Sequence, residues 1–93
     1  MSDELNGEVA LVTGASGGIG AAIARHLAEA GARVVVHGHT GGERAQAVVD
    51  ALAGSGHRLA LADLRSPQAA RALVEGIDEL SILVNNAGVF ELC

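Results

Sequence analysis

Residues 11–20 read LVTGASGGIG: an apolar run, a threonine, then four glycines within seven positions, with Ile19 set among them. A short apolar strand that breaks into glycines and resumes as a helical period is the pattern of a turn built to bring backbone close to a phosphate. Glycines there permit positive φ and take Cβ atoms out of the path of a pyrophosphate. The helix that follows offers its free amides and the positive end of its dipole to an anion. The spacing fits TGxxxGxG through Gly14, Gly18 and Gly20, and equally TGxxGxxG through Gly14, Gly17 and Gly20. By itself the loop leaves two kinds of enzyme open.

Outward from this loop the chain alternates short β-branched runs with longer helical periods, the sequence form of βαβ units and a parallel sheet. EVALVT (8–13) reads as a buried strand, and Ile19, Ile23, Leu27 and Ala30 mark the apolar face of a helix that stops at Gly31. On that helix Arg25 and Glu29 form an outward i, i+4 pair. ARVVVHG (32–38) reads as a second strand whose three valines suit cover on both faces. ERAQAVVDALA (43–53) is helical, and HRLALAD (57–63) is a third strand. Ser66 before Pro67 is an N-cap followed by proline at the first helical position, so QAARALVEGI (68–77) is a third helix, buried through Ala70, Leu73, Val74 and Ile77. LSILVNNAG (80–88) is a fourth strand running into a polar turn. With right-handed crossovers and the first strand central, the order is 3-2-1-4. The ligand crevice then falls between strands one and four, where the winding direction switches.

Composition removes several classes of function. Eleven acidic residues face six basic ones, all arginine, for a net charge of −5, and Phe90 is the single aromatic residue. That excludes a nucleic-acid binder, which needs a basic face and stacking rings. The hydrophobic share is 49%, yet no apolar run approaches the roughly 18 residues needed to span a bilayer, so no membrane segment is expected. MSDELNGEVA carries no secretory or transit pattern, and a cytoplasmic location is the expectation. One cysteine, Cys93, allows neither an intrachain disulfide nor a cysteine metal set, and no metal site is expected. His26 and His57 lack a second ligand or a neighbouring nucleophile and read as surface or packing residues. Ser16 and Ser81 lack a base partner, and Ser16 is assigned to a phosphate or to the loop itself. At 93 residues the chain buries only about 60–65% of its unfolded surface, which implies marginal stability.

With NNAG at 85–88 following the strand ILV, and ADL at 62–64 ending another strand, the chain resembles the short-chain dehydrogenase/reductase family, and NNAG points to its classical branch. The resemblance covers essentially the whole chain. It implies a partial Rossmann-type, doubly wound α/β sheet of four strands and three helices that binds a small-molecule dinucleotide. It places Gly14, Ser16, Gly17, Gly18, Ile19 and Gly20 at the pyrophosphate, and Asp63 and Leu64 at the adenine. It also implies that Asn85, Asn86, Ala87 and Gly88 hold the central strands and the cofactor edge. The second strand ends His37-Gly38-His39-Thr40 without the acid that would bind a ribose 2′-hydroxyl, so NADP is preferred over NAD, with His39, Thr40 and Arg44 as phosphate contacts.

The family's chemistry is hydride transfer between a nicotinamide and a carbonyl or alcohol carbon, with a tyrosine as acid/base and a lysine lowering its pKa. The sequence contains neither a tyrosine nor a lysine, so no catalytic residue is assigned. The expectation is the N-terminal dinucleotide-binding half of such an oxidoreductase over residues 1–93, inactive alone, without its catalytic half or the helices on which relatives form homo-oligomers. A standalone dinucleotide-binding or sensing module and a non-functional remnant are the competing readings. Only 21 residues separate Asp63 from Asn85, which makes the third helix short for the family.

Overall fold

The computed structural model describes residues 3–39 and 42–86. Strands β1 (Val9–Val12), β2 (Arg33–Gly38), β3 (Arg58–Leu61) and β4 (Ile82–Val84) alternate with helices α1 (Gly18–Glu29), α2 (Gly42–Ala51) and α3 (Pro67–Glu75). They form one parallel sheet in the order β3-β2-β1-β4, as the crossover rule requires. The chain therefore has the α/β, Rossmann-like architecture expected of it. β1 is central: Ala10 pairs with Val34 on one side and with Ile82 on the other.

The alternation of side chains along each strand sorts the core into two layers. On one face Val12, Val34 and Val36 pack with Ala24 and Ala28 of α1 and with Ala45 of α2. On the other, Val9, Leu11 and Val35 meet Ile77, with Leu73 of α3 partly buried against them. Two crossovers run one way and the third runs back, so α1 and α2 share a face and α3 takes the opposite one. The three valines of β2 are buried, as cover on both faces demands. Each fully buried valine contributes about 1.5–3 kcal/mol.

The helix ends follow their local chemistry. At the end of α1, Gly31 (φ +106°) donates to the Ala28 carbonyl at 3.0 Å, and Ala32 donates to Leu27 at 3.1 Å, a Schellman arrangement. Ser66 caps α3 by accepting from the Ala69 amide at 3.2 Å, with Pro67 in the first turn.

Three expectations are corrected. The buried face of α1 is Gly20, Ala21, Ala24 and Ala28, while Ile19 is 74% exposed and Ile23 and Leu27 are only partly covered. A helix pressed close on a strand takes its smallest side chains inward, and the larger ones flank the contact. α3 buries none of its own residues, and Val74 is exposed, because one short helix covers that face of the sheet alone. Both Arg25 and Glu29 are exposed, but no salt bridge joins them among the described residues.

His57 has a structural role. Its Nδ1 accepts the Val34 amide at 3.0 Å and its Nε2 donates to the Ala53 carbonyl at 2.7 Å, joining β2 to the bend that follows α2. Ser81 does the same for β4: its Oγ accepts the Val9 amide at 3.0 Å, and its own amide donates to the Val9 carbonyl at 2.9 Å.

Candidate dinucleotide site

The C-terminal ends of all four strands lie along one rim, and the winding direction switches between β1 and β4, the place where sheets of this kind receive ligands. From β1 the chain runs through Thr13, Gly14, Ala15 and Ser16 into α1. Gly17 occupies the N-cap position in extended backbone (φ −177°) and supplies no side-chain cap. Among the described residues, the first-turn amides of α1 have neither an intrahelical nor a capping side-chain partner. Gly18 turns through φ +61°, a region that disfavours side chains, and methyls built at Gly17 or Gly18 would meet nothing within 4 Å. Both positions face open space among the described residues.

Gly20 has a different task. A Cβ there would collide with the Gly14 carbonyl and lie 2.9 Å from both the Ala15 Cα and the Asn86 Nδ2. This glycine lets α1, the loop and the turn after β4 converge. The convergence is held by hydrogen bonds: Asn86 Nδ2 donates to the Gly14 carbonyl at 3.1 Å, and the Gly14 amide donates to His37 Nδ1 at 3.0 Å. The Ala15 amide donates to the His37 carbonyl at 2.8 Å, and Thr13 donates through its amide to the Val84 carbonyl at 3.0 Å.

At the other end of the rim, Asp63 follows β3. Its Oδ1 accepts from the Arg65 amide and Nε, both at 3.0 Å, and its Oδ2 accepts from Arg65 Nη2 at 3.1 Å. His39, just past β2, brings Nε2 to 3.6 Å from Asp63 Oδ2. The side-chain hydrogen bonds from Arg65, helped by its amide, hold the Asp63 carboxyl at about 2, below its ordinary 3.8. The same pairing raises Arg65.

The structure thus brings Gly14 to Asn86 and His39 to Asp63, and puts Ser16, Gly17, Gly18, Ile19 and Gly20 on one loop and helix start. Leu64 follows Asp63 and is half-buried. Asn85 lies on the turn after β4, with Oδ1 at 3.4 Å from Thr13 Oγ1. Arg44 is exposed in the first turn of α2. Thr40, Ala87 and Gly88 lie outside the described residues. Among the described residues no cluster of three metal-ligating side chains occurs, and no helix is long and apolar enough to cross a membrane. Sequence reasoning missed two members of the rim. Arg65 was legible as a cation two residues after an aspartate at a strand end, whereas His37 carried no local signal, because its partners lie 23 and 25 residues away.

Known proteins resemble this chain in sequence and in fold. The family model described as short chain dehydrogenase matches residues 8–93. An uncharacterized oxidoreductase of Methylorubrum extorquens is 49% identical over 94 residues, which cover 95% of this chain and 38% of that protein. The 3-oxoacyl-(acyl-carrier-protein) reductase of Aquifex aeolicus is 43% identical over 99 residues, covering 96% of this chain and 38% of the relative. Among solved structures, a short chain dehydrogenase from Burkholderia cenocepacia in complex with NADP superposes with a TM-score of 0.84 at 47% identity, covering 94% of this chain and 38% of that one. The chain therefore spans well under half the length of the relatives it matches. A glycine-rich strand-to-helix turn, an asparagine turn bonded to it, the 3-2-1-4 sheet and a family match over nearly every residue lead to one assignment: this chain belongs to the short chain dehydrogenase family.

Proposed function

We propose that residues 1–93 form the dinucleotide-binding half of an oxidoreductase, that they bind NADP in preference to NAD, and that the whole protein moves hydride between the nicotinamide and a carbonyl or alcohol carbon. The observation that carries this reading is the start of α1 at the β1/β4 switch, without a side-chain cap among the described residues and with Gly14 held at both its amide and its carbonyl. Anions are favoured at such a helix start by free amides and by the helix dipole.

The residues present fit the dinucleotide. Gly14, Ser16, Gly17, Gly18, Ile19 and Gly20 would receive the pyrophosphate, and Asn86, Ala87 and Gly88 would border the crevice. Asp63 and Leu64 would take the adenine, Asp63 with an ionised carboxylate that accepts from an amino group. His39 and Thr40 would face the ribose 2′-phosphate. No carboxylate follows β2 to repel a phosphate, and Gly38 stands where an acid would select NAD. The bound nicotinamide supplies or receives the hydride. The proton that accompanies it is handled by groups other than those in this chain, whose lack of tyrosine and lysine leaves it without the family's acid/base pair. Reductase names among the relatives and NADP in the Burkholderia structure support the same reading.

Calorimetric titration of the purified protein with NADP, NADPH and NAD tests it. NADP is expected to bind at least tenfold more tightly than NAD, and Gly38→Asp to narrow or reverse that ratio. An absence of heat at millimolar ligand would leave the remnant reading in its place, and unchanged affinities in Gly38→Asp would remove the account of cofactor choice.

A further inference from the structure

His37 has none of the roles assigned above, yet it is the most enclosed polar residue of the rim, 2% exposed at the end of β2. Its Nδ1 accepts the Gly14 amide at 3.0 Å, and its Nε2 lies 2.8 Å from the Ala62 carbonyl. A backbone amide can only donate and a carbonyl can only accept, so one tautomer satisfies both partners, with the hydrogen on Nε2. The main chain of the same residue accepts the Ala15 amide at 2.8 Å. One rigid ring therefore spans from the peptide that opens the glycine-rich loop to the residue immediately before Asp63.

We propose that His37 is a positioning residue for the dinucleotide, setting the distance between the pyrophosphate loop and the adenine-side residues Asp63 and Leu64. The inference rests on the dinucleotide reading above. The span between pyrophosphate and adenine belongs to the ligand and has a limited range, so the two halves of the rim must stand at a matching separation before binding. The imidazole is a spacer of fixed length between them. Its bond to the Gly14 amide also orients the Thr13–Gly14 peptide group, and Asn86 holds the next peptide group through the Gly14 carbonyl.

Three substitutions separate positioning from simple core filling. In His37→Asn the amide oxygen stands near the place of Nδ1 and keeps an acceptor for Gly14. In His37→Gln the amide nitrogen reaches the place of Nε2 and keeps a donor for Ala62. His37→Leu fills the space with neither. Loss of one buried hydrogen bond amounts to roughly a tenfold change in an equilibrium. NADP affinity by calorimetry is expected to fall at least tenfold in all three variants, because Asn and Gln each release one end of the bridge and Leu releases both. Circular dichroism confirms that the compared variants are folded. In 15N spectra, NADP is expected to shift the Gly14 amide and the His37 ring nitrogens of the unmodified protein together. If NADP binds and the Gln and Leu variants match the unmodified affinity, the role of His37 is overturned while the dinucleotide reading stands. Should the Leu variant fail to fold, affinities in Asn and Gln equal to that of the unmodified protein, or ring resonances unmoved by saturating NADP, overturn it as well. If the unmodified protein binds no NADP, the dinucleotide reading fails and this role falls with it.

Discussion

Asp63 shows how one neighbour sets the chemistry of a rim residue. Three hydrogen bonds from Arg65 favour the ionised carboxylate, and His39 adds a smaller attraction. The folded-state value, about 2, lies below the ordinary 3.8, so the pairing stabilises the fold above pH 4 and the contribution is lost as pH falls toward 2. In Arg65→Ala the Asp63 carboxyl is expected to titrate close to its ordinary value, read from its 13C shift against pH. A midpoint that stays near 2 would mean that Arg65 is not the cause. The identity of Asp63 as a rim residue was legible from ADL at a strand end. Its partner was a matter of side-chain reach, which spacing alone does not settle, and the His37 bridge depends on two backbone groups that only the folded sheet brings together.

At the scale of elements, the contact between α1 and β1 depends on the absence of side chains at chosen places. Gly20 and Gly17 are both glycines of the loop motif, but their surroundings are opposite: a methyl at Gly20 meets the backbone of Ala15 and the amide of Asn86, and one at Gly17 meets nothing. Gly20→Ala is expected to cost about 1–3 kcal/mol by overpacking. Gly17→Ala, in extended backbone open to any residue, should stay within about 0.5 kcal/mol. Urea unfolding midpoints compare the two, and similar losses at both positions would contradict the packing argument. Element order, strand positions and the Ser66 cap were legible because each rests on local pattern or local capping chemistry. The buried face of α1 was not, since large apolar residues at helical spacing attract the reading while the close approach of helix to sheet selects Gly20, Ala21, Ala24 and Ala28.

For the whole molecule, the 3-2-1-4 order leaves β4 as an outer strand among the described residues, with Leu83 57% exposed on the face that α3 covers thinly. An uncovered strand edge beside an apolar side chain is a template for pairing with another chain. The purified 93-residue chain is expected to self-associate as its concentration rises, and Leu83→Lys to return it toward monomer in sedimentation velocity. Association unaffected by the lysine would place the contact elsewhere. The strand order itself followed from crossover handedness and a central first strand, and the thin cover on one face follows from the short third helix already legible in the 21 residues between Asp63 and Asn85. The rim differs from that thinly covered face. The peptide group before Gly14 is held through the Gly14 amide by His37 and the one after it through the Gly14 carbonyl by Asn86, so the conformational entropy of this short segment is already lost when the chain folds. A phosphate arriving there need not order that segment, and its affinity reports the interaction itself with little subtraction for loop freezing.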